Sequence, residues 1–186
     1  MNWAFLKDDA GRFFDEVEQF LCELGIEHLV KNLESDHMGV RCENPDTVAQ
    51  LSSEIQSEGT LLSSSIVNGR EIQILELASP LTLGTRSVHC VELPYPKQNH
   101  AYTDGWEHIE FVIPSSARTL SEFRSEFIQT FPRIDMPHLA ALGIYSESLP
   151  QAGDDQRPNP TIELTKSKNL TVKFHPASIK EIVVKT

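Results

Sequence analysis

An acid–histidine pair opens two strand-like segments of this 186-residue chain, and that repeat constrains the fold more than any other feature. Ser35-Asp36-His37-Met38-Gly39-Val40-Arg41 aligns with Trp106-Glu107-His108-Ile109-Glu110-Phe111-Val112. Both segments alternate apolar and polar side chains, the two-residue period of a half-buried strand. In the first, Met38, Val40 and Cys42 share one face, and His37, Gly39 and Arg41 the other. In the second, Ile109, Phe111 and Ile113 lie opposite His108, Glu110 and Val112. Two modules sharing one core would set these strands side by side or facing. His37 and His108 would then meet in one polar pocket, which makes them candidate metal ligands.

The elements around each strand repeat in the same order. Residues 36–94 read β-α-β-β-β. Asn44-Pro45 is a helix start, with Val48, Leu51 and Ile55 as the buried stripe and Gly59 past its end. Leu61–Val67 and Glu71–Leu77 flank Asn68-Gly69, a strong hairpin signal because both residues tolerate positive φ. Arg86–Leu93 is the third strand, closed by Pro94 and Pro96. The order recurs from Trp106–Ile113 through a helix with Leu120, Phe123, Phe127 and Phe131 as its stripe, opened by the capping box Thr119-Leu-Ser-Glu122. Strands follow at about Thr161–Thr165 and Leu170–His175, and a short helix starts at Ser178. The second module's second strand has no signal of its own, because residues 132–160 are proline-rich with a polar run from Gln151 to Arg157. Within them, Tyr145–Asn159 reads as a lid loop.

Ahead of both modules, Phe13, Phe14, Val17, Phe20, Leu21 and Leu24 place an amphipathic helix at about residues 8–24, stopped near Gly25. A shorter helical piece follows at Ile26–Leu33. The expected fold class is α+β: two βαβββ modules in a curled mixed sheet around a central cup, with an extra N-terminal helical segment. The segments are residues 1–34, 35–98 and 99–186, in one globular domain.

The net charge of −11 repels phosphate backbones and anionic lipid, so neither nucleic acid nor membrane is an expected partner. Three cysteines without a CxxC fit neither a disulfide framework nor a zinc finger, and suit a reducing compartment. With no basic-then-apolar leader and no run of apolar residues long enough to span a bilayer, a cytoplasmic location is expected. Oligomeric state is not legible.

Five segments, in order, carry a family resemblance: Asn68-Gly69-Arg70, Val91-Glu92-Leu93-Pro94, Gly105-Trp106-Glu107-His108-Ile109-Glu110, Pro158-Asn159-Pro160-Thr161 and Lys173-Phe174-His175-Pro176. They resemble the bacterial YecM family over residues 33–184 and, more loosely, through the first helix. That family is similar in turn to the vicinal oxygen chelate superfamily of glyoxalases, epimerases, extradiol dioxygenases and antibiotic-resistance proteins. The resemblance implies paired βαβββ units with metal ligands on the first and last strands of each module. Here those positions are His37 and His108, then Glu92 and His175. A histidine in place of the usual carboxylate at the last position departs from the superfamily pattern and leaves His175 either a ligand or an acid/base.

Strand parity sends His37, Glu92, His108 and His175 to one face. Two or three imidazoles with a carboxylate suit a divalent Zn, Ni, Mn, Co or Fe ion; hydrogen-bonded pocket histidines without metal are the plainer alternative. Glu110 shares the His108 face, as general base, support for a metal histidine, or exposed charge. Arg41 and Lys173 face the cup, to hold an anionic substrate group or to neutralise carboxylates. Tyr102 is a candidate pocket wall. Asp36 and Glu107 alternate away from the cup and are expected in solvent. The expected function is a metal-dependent isomerase, epimerase, lyase or oxygenase acting on a small oxygenated substrate. A non-catalytic protein binding a small ligand or a metal in the same cup is the alternative.

Overall fold

The computed structural model describes residues 1–97, 100–150 and 157–184. An N-terminal helix, α1 (Trp3–Glu23), and a turn of helix, α2 (Glu27–Val30), precede the first half. That half runs β1 (Glu34–Arg41), α3 (Pro45–Gln56), β2 (Gly59–Val67), β3 (Arg70–Leu83) and β4 (Arg86–Pro94). The second half runs β5 (Gly105–Val112), α4 (Leu120–Thr130), α5 (Met136–Ala141), β6 (Tyr145–Ser148), β7 (Thr161–Ser167) and β8 (Leu170–His175), and α6 (Ile179–Val183) follows. One curled, unclosed sheet of eight strands results, in the order β2-β3-β4-β1-β5-β8-β7-β6. β1 and β5 pair antiparallel at its centre, and each pairs in parallel with the last strand of its own half, β4 and β8. This is the expected α+β arrangement of paired βαβββ units.

Local chemistry explains most boundaries. Helix α1 starts at Trp3, earlier than periodicity alone suggests, because the Asn2 side chain accepts the Phe5 N–H at 2.9 Å and Trp3 and Leu6 extend the buried stripe. Asn44 caps α3 by accepting from Asp46 N at 2.8 Å, and Thr119–Glu122 closes a reciprocal capping box on α4. Asn68 and Gly69 both take positive φ (49° and 78°), the backbone of a tight hairpin turn. Strand β3 runs beyond the expected Leu77 because a register break between Glu76 and Leu81 accommodates Pro80, which has no N–H to pair. The proline-rich stretch contains α5 and the short edge strand β6, which pairs with β7. Tyr145–Ser148 is therefore strand rather than loop, and residues 151–156 of the expected lid lie outside the described residues.

Helices cover the apolar face of the sheet. Met38, Val40, Ile109, Phe111, Val172 and Phe174 are buried there in one core with the stripe of α1. Phe127 of α4 and Phe131, which caps its C-terminus, pack edge-on to Phe174 at 5.3 and 5.2 Å between ring centroids, and Trp106 Nε1–H donates to Leu6 O at 2.9 Å. The opposite, concave face is polar. Among the described residues no helix is long and apolar enough to cross a membrane.

Candidate metal centre

Register puts the polar side chains of four central strands in one place. Gly39 on β1 lies between Glu92 on β4 and His108 on β5, and one step along β1, His37 lies opposite Glu110, which is itself beside Lys173 on β8. Gly39 is required here: a Cβ on it would fall 2.0 to 2.5 Å from three atoms of the His108 ring. The missing side chain is the space the imidazole occupies. The His37 and His108 ring centroids are 6.0 Å apart.

Each imidazole is oriented by the acid that precedes it. His37 Nδ1–H donates to Asp36 Oδ2 at 2.8 Å, and His108 Nδ1–H donates to Glu107 Oε2 at 2.8 Å. Both Nε2 atoms are consequently the free ends, and both are buried without a hydrogen-bond partner among the described residues. A bare buried nitrogen is costly unless something occupies it. These two converge on carboxylates: His37 Nε2 is 3.4 Å from Glu110 Oε1 and 3.9 Å from Glu92 Oε2, and His108 Nε2 is 3.3 Å from Glu110 Oε1 and 3.7 Å from Glu92 Oε1. Two atoms each about 2.1 Å from a tetrahedral ion sit about 3.4 Å apart, so the spacing suits a cation between them better than hydrogen bonds. One ligand atom from each of His37, Glu92, His108 and Glu110 lies within 4.8 Å of all the others. A carboxylate on Nδ1 with Nε2 toward the metal is the usual support for a metal-bound histidine. The donor set therefore fits a divalent ion.

A second group, Asp36, His37 and His175, is equally compact but differs chemically. Asn159 Nδ2 donates to Ala177 O at 3.0 Å while its Oδ1 accepts from Ala177 N at 3.3 Å, which fixes the amide's orientation. That amide donates through Nδ2 to His175 Nδ1 at 2.7 Å. His175 thus carries its proton on Nε2, 3.3 Å from Asp36 Oδ2, and a cation there would meet an N–H rather than a lone pair. Asp36 Oδ2 also accepts from Ile179 N at 2.8 Å. His175 lines the cavity, and its Nε2 is buried without a hydrogen-bond partner among the described residues.

The charges are tightly linked. Burial pushes Glu110 up, but Lys173 at 2.9 Å and His37 outweigh it and hold the carboxyl well below its usual range. Burial likewise opposes ionisation of Glu92, and the positive field of His108, Lys173 and His37 lowers it nonetheless. Glu107 goes down to about 2 against the same opposition, through its hydrogen bond and charge contact with His108 and then Arg41. Burial pushes His37 down, yet Glu110 and Asp36 prevail and raise it to about 10. Without an ion, the carboxylates retain a proton on His37. Burial dominates at His175 and lowers it, so this ring is neutral. Burial also opposes the charge on Lys173, but Glu110 and Glu92 raise it.

Above the cluster opens a cavity of about 680 Å³, lined by His37, Glu92, Glu110, Lys173 and His175 and, at its sides, by Arg41, Arg70 and Arg157. His108 is fully buried beside it. Tyr102 is not part of that lining; its ring lies against the Arg41 guanidinium at 5.9 Å and stacks near His100. His28, His89, His100 and His138 are exposed, and Cys90 is buried with its thiol pushed up to about 12, chiefly by burial.

Asp36 and Glu107 are the residues of the candidate site that parity misplaces. Register shifts between Ser35 and His37, and opposite Gly39 and Val40, leave Asp36 on β1 and Glu107 on β5 as extra residues. A bulge breaks the alternation and turns a side chain onto its neighbour's face. The acid–histidine repeat itself was the signal for both. Asn159 lies in one of the segments that carry the family resemblance, but nothing in its spacing points to His175.

Comparisons with known proteins bear on the whole chain. It is 32% identical over 188 residues to Protein YecM of Escherichia coli (strain K12), covering 98% of this chain and 96% of the other. An uncharacterized protein of Haemophilus influenzae is 33% identical over 185 residues, covering 97% and 93%. The solved structure of structural genomics protein EC4020 superposes with a TM-score of 0.74 at 30% identity, over 97% of this chain and 90% of that one. The YecM protein family model matches residues 3–185, and the chain belongs to the YecM family.

Proposed function

We propose that the chain is a metal-dependent enzyme acting on a small oxygenated substrate, with a divalent ion held by His37, His108 and Glu92 and with Glu110 at ligand distance. One observation carries this reading: two buried imidazoles, each fixed by its own carboxylate through Nδ1, aim bare Nε2 atoms at two further carboxylates. When bound, such an ion supplies Lewis acidity toward substrate oxygens and makes a neighbouring C–H easier to deprotonate. The protein's own groups would then move the proton. Lys173 binds Glu110 Oε1 and keeps the carboxylate ionised, while Glu110 Oε2 lies 3.8 Å from His175 Nε2. Glu110 is the acceptor, and the Nε2–H of His175 donates to the oxygen on which charge develops. The enclosing walls, which include Ile72, Ile74 and Ile182, limit water around that exchange. Isomerisation and elimination need only that proton transfer, whereas oxygenation would additionally need dioxygen and a redox-active ion such as Fe(II).

The test has two readouts. The purified protein should take up about one ion per chain from Mn, Fe, Co, Ni or Zn, and His108→Ala should lose it with an unchanged circular-dichroism spectrum. Loaded protein should exchange solvent deuterium into a member of a 2-hydroxy- and 2-oxo-acid panel by NMR, and Glu110→Gln and His175→Asn should each abolish that exchange. Wild-type protein that takes up no ion removes the metal reading; uptake without exchange across the panel leaves a binding protein.

A further inference from the structure

The Asn68-Gly69-Arg70 turn ends in a cation that the metal cluster does not use. Arg70 lines the cavity, is half buried, and its guanidinium makes no ion pair or hydrogen bond with any described residue. Its surroundings are electrostatically mixed: Arg41 repels it, while Glu92, Tyr102 and Glu107 attract it. Arg41 beside it is only partly engaged. Its Nε lies 2.9 Å from Glu107, but its Nη1 is buried without a hydrogen-bond partner among the described residues. Two guanidiniums thus line the same cavity with donors left over. Like charges in a recess are unfavourable unless an anion joins them, and a planar guanidinium is the side chain that best grips a carboxylate.

The carboxylates nearby do not meet that demand. Glu107 is shared between His108 and the Arg41 Nε, which leaves the Arg41 Nη1 and Arg70 unmet, and Glu110 is committed to Lys173. Glu92 is the strongest of the attractions on Arg70, and Glu92 is also a member of the candidate ligand set. Filling that set with a cation would neutralise Glu92 and leave Arg70 with less to balance it. We infer that Arg41 and Arg70 form an anion-binding subsite, and that the substrate is a small acid carrying a carboxylate away from the oxygens that reach the ligand set. This deepens the metal-dependent reading and rests on it only for where the other end of the substrate lies. The cavity of about 680 Å³ has room for both ends of a molecule of this kind.

Malate and lactate separate the two ends, because they share a 2-hydroxy acid head and differ in the second carboxylate. Calorimetric titration of each into Mn(II)-loaded and metal-free protein reads the subsite. Loaded wild type should bind malate at least about tenfold more tightly than lactate, the gain from one charge-assisted guanidinium–carboxylate contact. Arg70→Gln should bring the two ligands to about the same affinity, Arg70→Lys should recover part of the difference, and Mn(II) affinity should stay unchanged in both variants. Equal binding of malate and lactate by wild type overturns the inference. So does a malate preference that survives Arg70→Gln, since the extra carboxylate would then be bound elsewhere. Failure of the metal reading looks different: no Mn(II) is taken up, while a malate preference of the metal-free protein that disappears in Arg70→Gln still upholds the subsite.

Discussion

Gly39→Ala adds one methyl group at the point where β1 passes the His108 ring. The new Cβ would lie 2.0 Å from Cε1, 2.2 Å from Nε2 and 2.5 Å from Nδ1, whereas ordinary contact begins at 3.4 Å. The ring must therefore retreat by about 1.4 Å, or the β1–β5 pair must part by as much. Nitrogen–metal bonds are about 2.1 Å long, so a shift of that size removes His108 from the ligand set. Losing a mere supporting partner of a metal histidine lowers affinity about 10- to 100-fold, and displacing the ligand itself should exceed that range. Overpacking the seam should also lower stability by about 1–3 kcal/mol. A Mn(II) titration followed by electron paramagnetic resonance reads the first effect, and urea denaturation of metal-free protein the second. The His108→Ala background isolates the cause: with the imidazole gone the added methyl has room, and the stability cost of Gly39→Ala should largely vanish, a coupling of about 1 kcal/mol or more between the two positions. A folded Gly39→Ala protein that binds Mn(II) as tightly as wild type would refute both the ligand role of His108 and the reason given for the glycine.

Glu107→Gln keeps the shape of the His108 support but removes its charge, and should weaken Mn(II) binding about 10- to 100-fold; because the same carboxylate pairs with Arg41, the thermal transition of the metal-free protein should fall as well. The pH dependence follows from His37, whose pKa of about 10 in the ion-free site means that an entering ion displaces a proton. Affinity should accordingly rise by about tenfold per pH unit from the neutral range until the pH passes that value, with about one proton released per ion, measurable by calorimetry in buffers of different ionisation enthalpy.

How much of this was legible in the sequence depended on whether a regular period governed the residues concerned. Strand alternation located His37, Glu92, His108, Glu110, Lys173 and His175 on one face, because the central strands keep their two-residue rhythm through those positions. Helix stripes and cap residues located α3 and α4 for the same reason. The rhythm fails where the backbone inserts an extra residue, so Asp36 and Glu107, read as solvated, turn out to orient the two histidines. The orientation of Asn159 depends on its contact with Ala177, and the electrostatic surroundings of Arg70 depend on Arg41; no local spacing encodes either. Strand β6 was hidden because a four-residue edge strand beside prolines has too few alternations to register.

The antiparallel seam of β1 and β5 has a mechanical consequence. His37 and Glu92 belong to one half of the chain and His108 and Glu110 to the other, and among the described residues the seam is the only place where strands of the two halves pair. An ion seated across it would act as a rivet, adding cohesion where the sheet relies on a single ladder and where four carboxylates and a lysine crowd together. Folding free energy and ion binding would then be one linked quantity, and occupancy would be written into the melting temperature of the whole molecule. Metal supply could in that way govern the lifetime of the protein as well as its chemistry.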